Sequence, residues 1–265
     1  GVQRWLKITK HLTNFGIKPY VLTVDEKSAS YMATDTTLNS ETGEGVNVYK
    51  TKSFEPINWY AKIAGKENVP TAGFSNVSNE KIVQKIINGL RSTFFIPDPR
   101  RGWNRFAYKK ACEIIQNEKI DAVITTSPPH STQLIGLKLK RKQKINWIAD
   151  FRDPWTDIYY YKILNHSFLS AAIDKWYEKK ILFEADKIVT VSQGFKSLFL
   201  KKNFIPENKI RVIPNGYDTT DFKHIKKTAN EQFIISYTGT LSVQYNTYIF
   251  LDEFKNIVKS HKNIT

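Results

Sequence analysis

The chain has 265 residues, a net charge of +15 from 40 lysines and arginines against 25 acids, and a hydrophobic share of 41%. That length holds one large α/β domain with an extra piece, or two modest domains. No apolar run reaches the roughly 18 to 20 residues of a membrane-spanning helix, and a lone cysteine rules out a disulfide framework, which fits a reducing compartment.

The first stretch, Val2 to Phe15, reads as a helix with Val2, Trp5, Leu6, Leu12 and Phe15 on one face and Gly16 as its stop. A βα unit expects a strand ahead of it, so the chain reads as starting inside a first βα turn. Ile17 to Val24 and Val46 to Lys52 read as strands, joined by a polar, Gly-punctuated loop at Asp35 to Gly45. Residues 57–105 break the rhythm. Within them Ile82, Val83, Ile86, Ile87 and Leu90 recur at helical spacing, and Phe94 to Trp103 is aromatic, basic and proline-stiffened. This region reads either as packing on the sheet or as a lid, an acceptor groove or a membrane foot. Asn104 to Asn117 is expected to be helical, with Cys112 as a small apolar filler.

From there strand and helix alternate, the pattern of a Rossmann-like, doubly wound parallel sheet in an α/β fold. Asp121 to Thr126 leads into Ser127-Pro-Pro-His130, and Ile145 to Ala149 leads into Asp150-Phe-Arg152-Asp153-Pro-Trp155. Lys187 to Val191 leads into Ser192-Gln-Gly194, and Ile210 to Ile213 leads into Pro214-Asn215-Gly216-Tyr-Asp218. Helices are expected over Ser131 to Lys142 and within Asp157 to Ala185, with Trp176 and Tyr177 in the core. Ligands of an open parallel sheet gather at the carboxyl ends of its strands, so four such tips describe one site. After the polar segment Thr219 to Gln232, Phe233 to Gly239 reads as a fresh strand and Tyr245 to His261 as a fresh helix. The expected division is therefore one domain over 1–227 and, over 228–265, the first βα unit of a second domain, most of which the fragment lacks.

Several chemistries are missing from the sequence: there is no P-loop, no His-Glu-x-x-His or paired-cysteine zinc spacing, no Gly-x-Ser-x-Gly elbow and no Asp-x-Asp pair. The tips offer a histidine, an arginine, two aspartates, an asparagine and loop glycines, a set suited to holding a polar, phosphorylated substrate by hydrogen bonds. The basic excess, concentrated at Lys138 to Lys144, calls for a polyanionic neighbour. An anionic membrane surface is favoured over nucleic acid, since no zinc-finger, homeodomain or aromatic RNA-binding signature occurs, and a plain solvated surface stands as an equal alternative to the two together.

The ordered set Gly1-Val-Gln-Arg4-Trp, Thr125-Thr-Ser127-Pro-Pro-His130-Ser-Thr, Trp147-Ile-Ala-Asp-Phe-Arg152-Asp153-Pro-Trp155, Ala185-Asp-Lys-Ile-Val-Thr-Val-Ser192, Val212-Ile-Pro-Asn215-Gly216-Tyr-Asp218 and Tyr237-Thr-Gly239-Thr240-Leu resembles a family 4 glycosyltransferase across essentially the whole chain. The resemblance implies the GT-B architecture, in which two Rossmann-like domains face across a cleft, the N-terminal one binding acceptor and the C-terminal one nucleotide-sugar. It also implies transfer with retention of anomeric configuration, with no metal and no cofactor beyond the nucleotide-diphosphate sugar donor. Asp153, His130 and Arg152 are the expected catalytic residues. Arg152 is expected to stabilise charge on the leaving phosphate, and His130 or Asp153 to orient the acceptor hydroxyl. Their alternative roles are structural: His130 as a helix start, Arg152 with Asp153 as an ion pair locking the turn before Pro154.

The remaining expected contacts with substrate are Gly1, Arg4, Ser127, Trp155, Ser192, Asn215, Gly216, Gly239 and Thr240. Gly1 is the end of a glycine-rich turn or an appended residue, Gly216 a glycine able to take positive φ, and Gly239-Thr240 a turn near the donor phosphates. The family's glutamate pair that grips the nucleotide ribose has no counterpart in the sequence. The function expected is sugar transfer to a cell-surface polysaccharide or lipid-linked acceptor, in the cytoplasm and peripheral on the inner membrane face, with the fragment inactive alone. The rival functions are a nucleotide-sugar 2-epimerase and a non-catalytic basic module.

Overall fold

The computed structural model describes residues 2–29, 35, 38, 41–54, 96–158, 161, 166–222, 235–239 and 246–260. Two parallel sheets carry the fold. The larger has four strands in the order β3 (Ala122–Ser127), β4 (Asn146–Phe151), β5 (Lys187–Thr190) and β6 (Ile210–Val212). The smaller pairs β1 (Tyr20–Val24) with β2 (Asn47–Thr51), also in parallel. Between strands run α2 (Asn104–Glu118), α3 (Ser131–Gln143), α4 (Phe168–Glu184) and α5 (Gln193–Leu200), while α1 (Val2–Leu12) precedes β1 and α6 (Tyr248–Ser260) closes the described chain. This is the mixed α/β, Rossmann-like organisation that the alternating pattern predicts.

β4 is the centre of the large sheet. Trp147, Ala149 and Phe151, two residues apart and so on one face, are each wholly buried with Ile181, Leu182, Ile188, Phe199 and Ile210. A second cluster of Ala107, Ile135, Leu139 and Ile145 gathers Leu22, Trp103 and Val123, so α2 and α3 bring side chains of both sheets into one apolar contact. At the far end of α2, Tyr20 Oη and Tyr49 Oη donate to Glu118 at 2.6 and 3.5 Å, tying the small sheet to the helix. Gly136 is required where α3 meets β4, since a Cβ there would lie 2.1 Å from Trp147 Nε1.

Several expectations need correction. Val2 and Phe15 are exposed, and α1 docks through Arg4, Trp5 and Thr9 instead, because the surface it meets is polar strand tips. Gly16 does end the segment, at φ +72°. The first strand begins at Tyr20, since Ile17 to Pro19 have no strand pairing. Ile235 to Gly239 are not a strand: among the described residues no neighbouring strand pairs with them, and an extended segment without a ladder is not a sheet. Trp176 is not core but about half exposed on the outer side of α4. Finally, Ile96 is buried and Trp103 Nε1 donates to Thr51 Oγ1 at 2.8 Å, so the described part of the aromatic-basic segment is packed inward. The expected helix within 57–105 and Phe94 lie outside the described residues.

Candidate active site at the carboxyl edge

β3 and β4 pair in register, Ser127 opposite Phe151, so the residues just beyond them meet at one edge. Arg152 N donates to Ser127 O at 3.1 Å and binds the two tips together. The edge contains two kinds of polar residue.

The first kind is densely hydrogen-bonded. Asp150, the last residue but one of β4, is wholly buried and accepts hydrogen bonds from Thr126 Oγ1 at 2.7 Å, Trp5 Nε1 at 3.0 Å and Arg4 Nη2 at 3.3 Å. Its main-chain oxygen accepts from Gln133 Nε2 at 2.9 Å, and the same amide group donates to Ser127 Oγ at 3.0 Å. Gln133 Oε1 in turn accepts from Thr125 Oγ1 at 2.6 Å, and Thr125 Oγ1 accepts from Trp147 Nε1 at 2.8 Å. Arg4 Nη1 donates to Asn215 Oδ1 at 2.9 Å and to the Pro214 carbonyl at 3.1 Å, Nη2 also donates to the Ile213 carbonyl at 3.0 Å, and Nε is buried without a partner. Farther along α1, Lys10 Nζ reaches Asp218 Oδ2 at 3.1 Å and Lys7 Nζ reaches it at 3.6 Å. Hydrogen bonds from Thr220 and the lysine beside it hold the Asp218 carboxyl well below the usual carboxylate range. The helix is thus fastened over the edge at both its ends.

The second kind has few partners. His130 stacks on Trp155 with ring centroids 4.9 Å apart, and its Nδ1 is buried without a hydrogen-bond partner. Burial, reinforced by the Arg152 charge, pushes its pKa down to about 3, so the imidazole is neutral at ordinary pH. Among the described residues Asp153 has no hydrogen bond or ion pair. Burial raises its carboxyl pKa while the nearby Arg152 charge pulls it down, and the rise prevails. No Arg152–Asp153 salt bridge forms, because the guanidinium is turned to the β3 tip: Nε donates to Thr126 Oγ1 at 3.2 Å and Nη2 to Pro128 O. A carboxylate and a neutral imidazole, both short of partners beside a half-buried cation, can hold and deprotonate a hydroxyl group.

The other expected residues fall into place around this pair. Ser127 is wholly buried and Trp155 nearly so, which makes them supports of the edge. Ser192 Oγ caps α5 by accepting from Phe195 N at 3.2 Å. Asn215 holds Arg4. Gly216 lies in exposed coil without positive φ, and a Cβ there would meet nothing within 4 Å, so a side chain would fit. Gly239 does have positive φ, +152°. Gly1 and Thr240 lie outside the described residues.

Three buried acids escaped the sequence reading. Asp98 caps the entry to α3, accepting from Ser131 N at 2.7 Å and Ser131 Oγ at 2.8 Å, one residue after His130. Asp174 accepts from Tyr161 Oη at 2.9 Å, and burial lifts its pKa to about 6. Glu178 accepts from Thr156 Oγ1 at 2.6 Å and from Lys202 Nζ at 3.1 Å. For Asp98 the flanking Pro97 and Pro99 were a usable sign, as an acid before a short helical turn is a cap signature. For Asp174 and Glu178, four residues apart on one face of α4, the spacing was visible but the direction of that face was not.

Residues 71–221 match the sequence profile of Glycosyltransferase Family 4. The chain belongs to glycosyltransferase family 4. No curated protein matches it. Within this glycosyltransferase the matched stretch includes β3 through β6 and every tip residue from Asp98 to Asp218, so the edge described above is family territory. Arg4, Trp5 and the rest of α1 lie outside the match and are joined to it by hydrogen bonds and ion pairs. Among the described residues no group of three or more histidines, cysteines or acids is placed to hold a metal ion.

Proposed function

We propose that the chain is the acceptor-side part of a retaining glycosyltransferase that moves a sugar from a nucleotide-diphosphate sugar to a polysaccharide or lipid-linked acceptor. Residues 1–227 would form the acceptor-side domain and 228–265 the first unit of the donor-binding one. The observation that carries the proposal lies just beyond the β3 and β4 tips: His130, whose buried Nδ1 has no hydrogen-bond partner, and Asp153, which among the described residues has no hydrogen bond or ion pair.

In this mechanism the Asp153 carboxylate accepts the hydrogen of the acceptor hydroxyl and points its oxygen at the sugar carbon. The bond from that carbon to the diphosphate breaks, the acceptor oxygen bonds to it on the same face, and the hydroxyl proton passes to the carboxylate. Its raised pKa makes Asp153 a better base than an exposed carboxylate. Neutral His130 donates to or accepts from a sugar hydroxyl without adding charge. Arg152 has Nη1 left for the departing phosphate, a single contact. Transfer takes place with the acceptor on the cytoplasmic side of a membrane.

The test measures transfer and thermal stability together in the whole enzyme. Asp153→Asn and His130→Ala are each expected to lower transfer at least about tenfold, or about 1.4 kcal/mol, with the fold kept. Near-normal transfer in both overturns the assignment, and donor turnover without acceptor points to an epimerase instead.

A further inference from the structure

α4 is built inside out. Its buried face carries Ser170, Asp174, Glu178, Ile181 and Leu182, two of them acids, whereas Phe168 is 91% exposed, Leu169 66%, Trp176 51% and Phe183 66%. A surface helix ordinarily turns its apolar stripe to the core and its charges to water. At about 100° per residue, Phe168, Leu169, Trp176 and Phe183 fall with Lys175 and Lys179 in an arc of about 120°, some 22 Å long at about 1.5 Å per residue. Every charged side chain on that arc is a lysine. Lys180 lies at its border with Nζ 5.6 Å from the Trp176 ring, and Lys209 Nζ lies 5.9 Å from the Phe183 ring. Two of the three acids of the helix, Asp174 and Glu178, are spent inward on Tyr161, Thr156 and Lys202, and the third, Glu184, pairs with Arg141.

We infer that this face of α4 seats the protein on an anionic lipid surface, with Phe168, Leu169, Trp176 and Phe183 entering the boundary between headgroups and acyl chains and the lysines meeting headgroup phosphates. Charge decides against a second copy of the chain: a two-fold contact through this face would set Lys175 and Lys179 against the same lysines. Lysine is depleted from the cores of protein interfaces, whereas an apolar aromatic stripe edged by lysines is the composition of a helix lying in the membrane plane. The net charge of +15 acts in the same direction. The site differs from the aromatic-basic segment expected from sequence, whose described part is packed inward. It is also independent of the transfer reaction.

The experiment is sedimentation of the chain with phosphatidylglycerol vesicles and with phosphatidylcholine vesicles, in low and high salt and without any sugar. Wild type is expected to partition at least about tenfold more strongly onto the anionic vesicles at low salt, the preference fading as salt screens it. Phe168→Ser/Leu169→Ser/Trp176→Ser is expected to lose that partitioning at least about tenfold, and Lys175→Gln/Lys179→Gln about threefold. Lys142→Gln/Lys144→Gln, on the basic run at the end of α3, is expected to change it less than about twofold. In wild type, lipids brominated in the acyl chain should quench tryptophan emission, and Trp176→Phe should remove most of the quenching; this readout holds even if the triple variant is unstable. Equal binding by wild type and the triple variant, dependence on the α3 lysines instead, indifference to lipid charge, or absence of quenching overturns the proposal. So does a solution dimer that the triple variant breaks, and so does capture by an acidic protein with no vesicle binding. Because no donor or acceptor is present, failure here leaves the assignment of Asp153 and His130 standing.

Discussion

Two neighbouring parts of the same sheet edge treat their polar groups in opposite ways. Around Asp150, every side chain oxygen and nearly every donor is paired, across four segments that are far apart in sequence: α1, β3, β4 and the coil after β6. Farther along the edge, His130 Nδ1 is buried without a hydrogen-bond partner, and among the described residues Asp153 has no hydrogen bond or ion pair. Both parts are made of ordinary aspartates, histidines and arginines, so residue type does not separate them. What separates them is the number of partners: a buried polar group with its partners holds a fold together, whereas one without them costs stability and asks for another role.

The comparison breaks most severely if Asp150 proves dispensable. Asp150→Ala removes the shared acceptor of Arg4, Trp5 and Thr126 and leaves a nearly buried guanidinium short of its counter-charge. The expected loss is about 3 to 5 kcal/mol in urea unfolding, by analogy with other buried pairs that lose one partner. A loss under about 1 kcal/mol would show that the network is not structural.

A smaller effect is expected from beneath that network. Gly136→Ala places a methyl group 2.1 Å from Trp147 Nε1, and the indole must move away from Thr125 Oγ1, which supports Gln133. Overpacking of this kind costs about 1 to 3 kcal/mol, measurable as a lowered urea midpoint with an unchanged slope.

The smallest effect at neutral pH belongs to the unsatisfied side. His130→Phe keeps the stack on Trp155 and should shift stability by less than about 1 kcal/mol at pH 7. The difference emerges in acid. Because folding lowers the His130 pKa from 6.5 to about 3, the unfolded chain binds more protons in that window, and wild-type stability falls as pH drops from 6.5 toward 3. Asp174 acts in the opposite sense, its folded pKa of about 6 making stability fall as pH rises from 3.8 to that value. Unfolding titrations of wild type and His130→Phe share the Asp174 term, so their difference isolates His130. Parallel curves would mean that the imidazole is solvated and not held neutral.

Much of this was legible beforehand. The strand tips and the α/β class follow from local pattern, since period-two apolar runs followed by turn residues mark where parallel strands stop. The roles of particular residues were less legible. Arg152 and Asp153 are neighbours of opposite charge, and sequence proximity pointed equally to an ion pair. The fold turns the guanidinium toward β3 and leaves the carboxylate alone.

The sequence by itself determined the order of strands and helices, the single edge at which the polar tips collect, and the family to which the chain belongs, because each of these is written in short-range periodicity or in runs of adjacent residues. Only the tertiary structure decided which polar groups are satisfied and which face of α4 is buried. Asp150 became a hub because α1 returns across more than a hundred residues to meet it, and Trp176 became surface because Asp174 and Glu178 found partners inside. Hydrogen bonding and burial are properties of pairs brought together from distant parts of the chain, and no local pattern states which partner arrives.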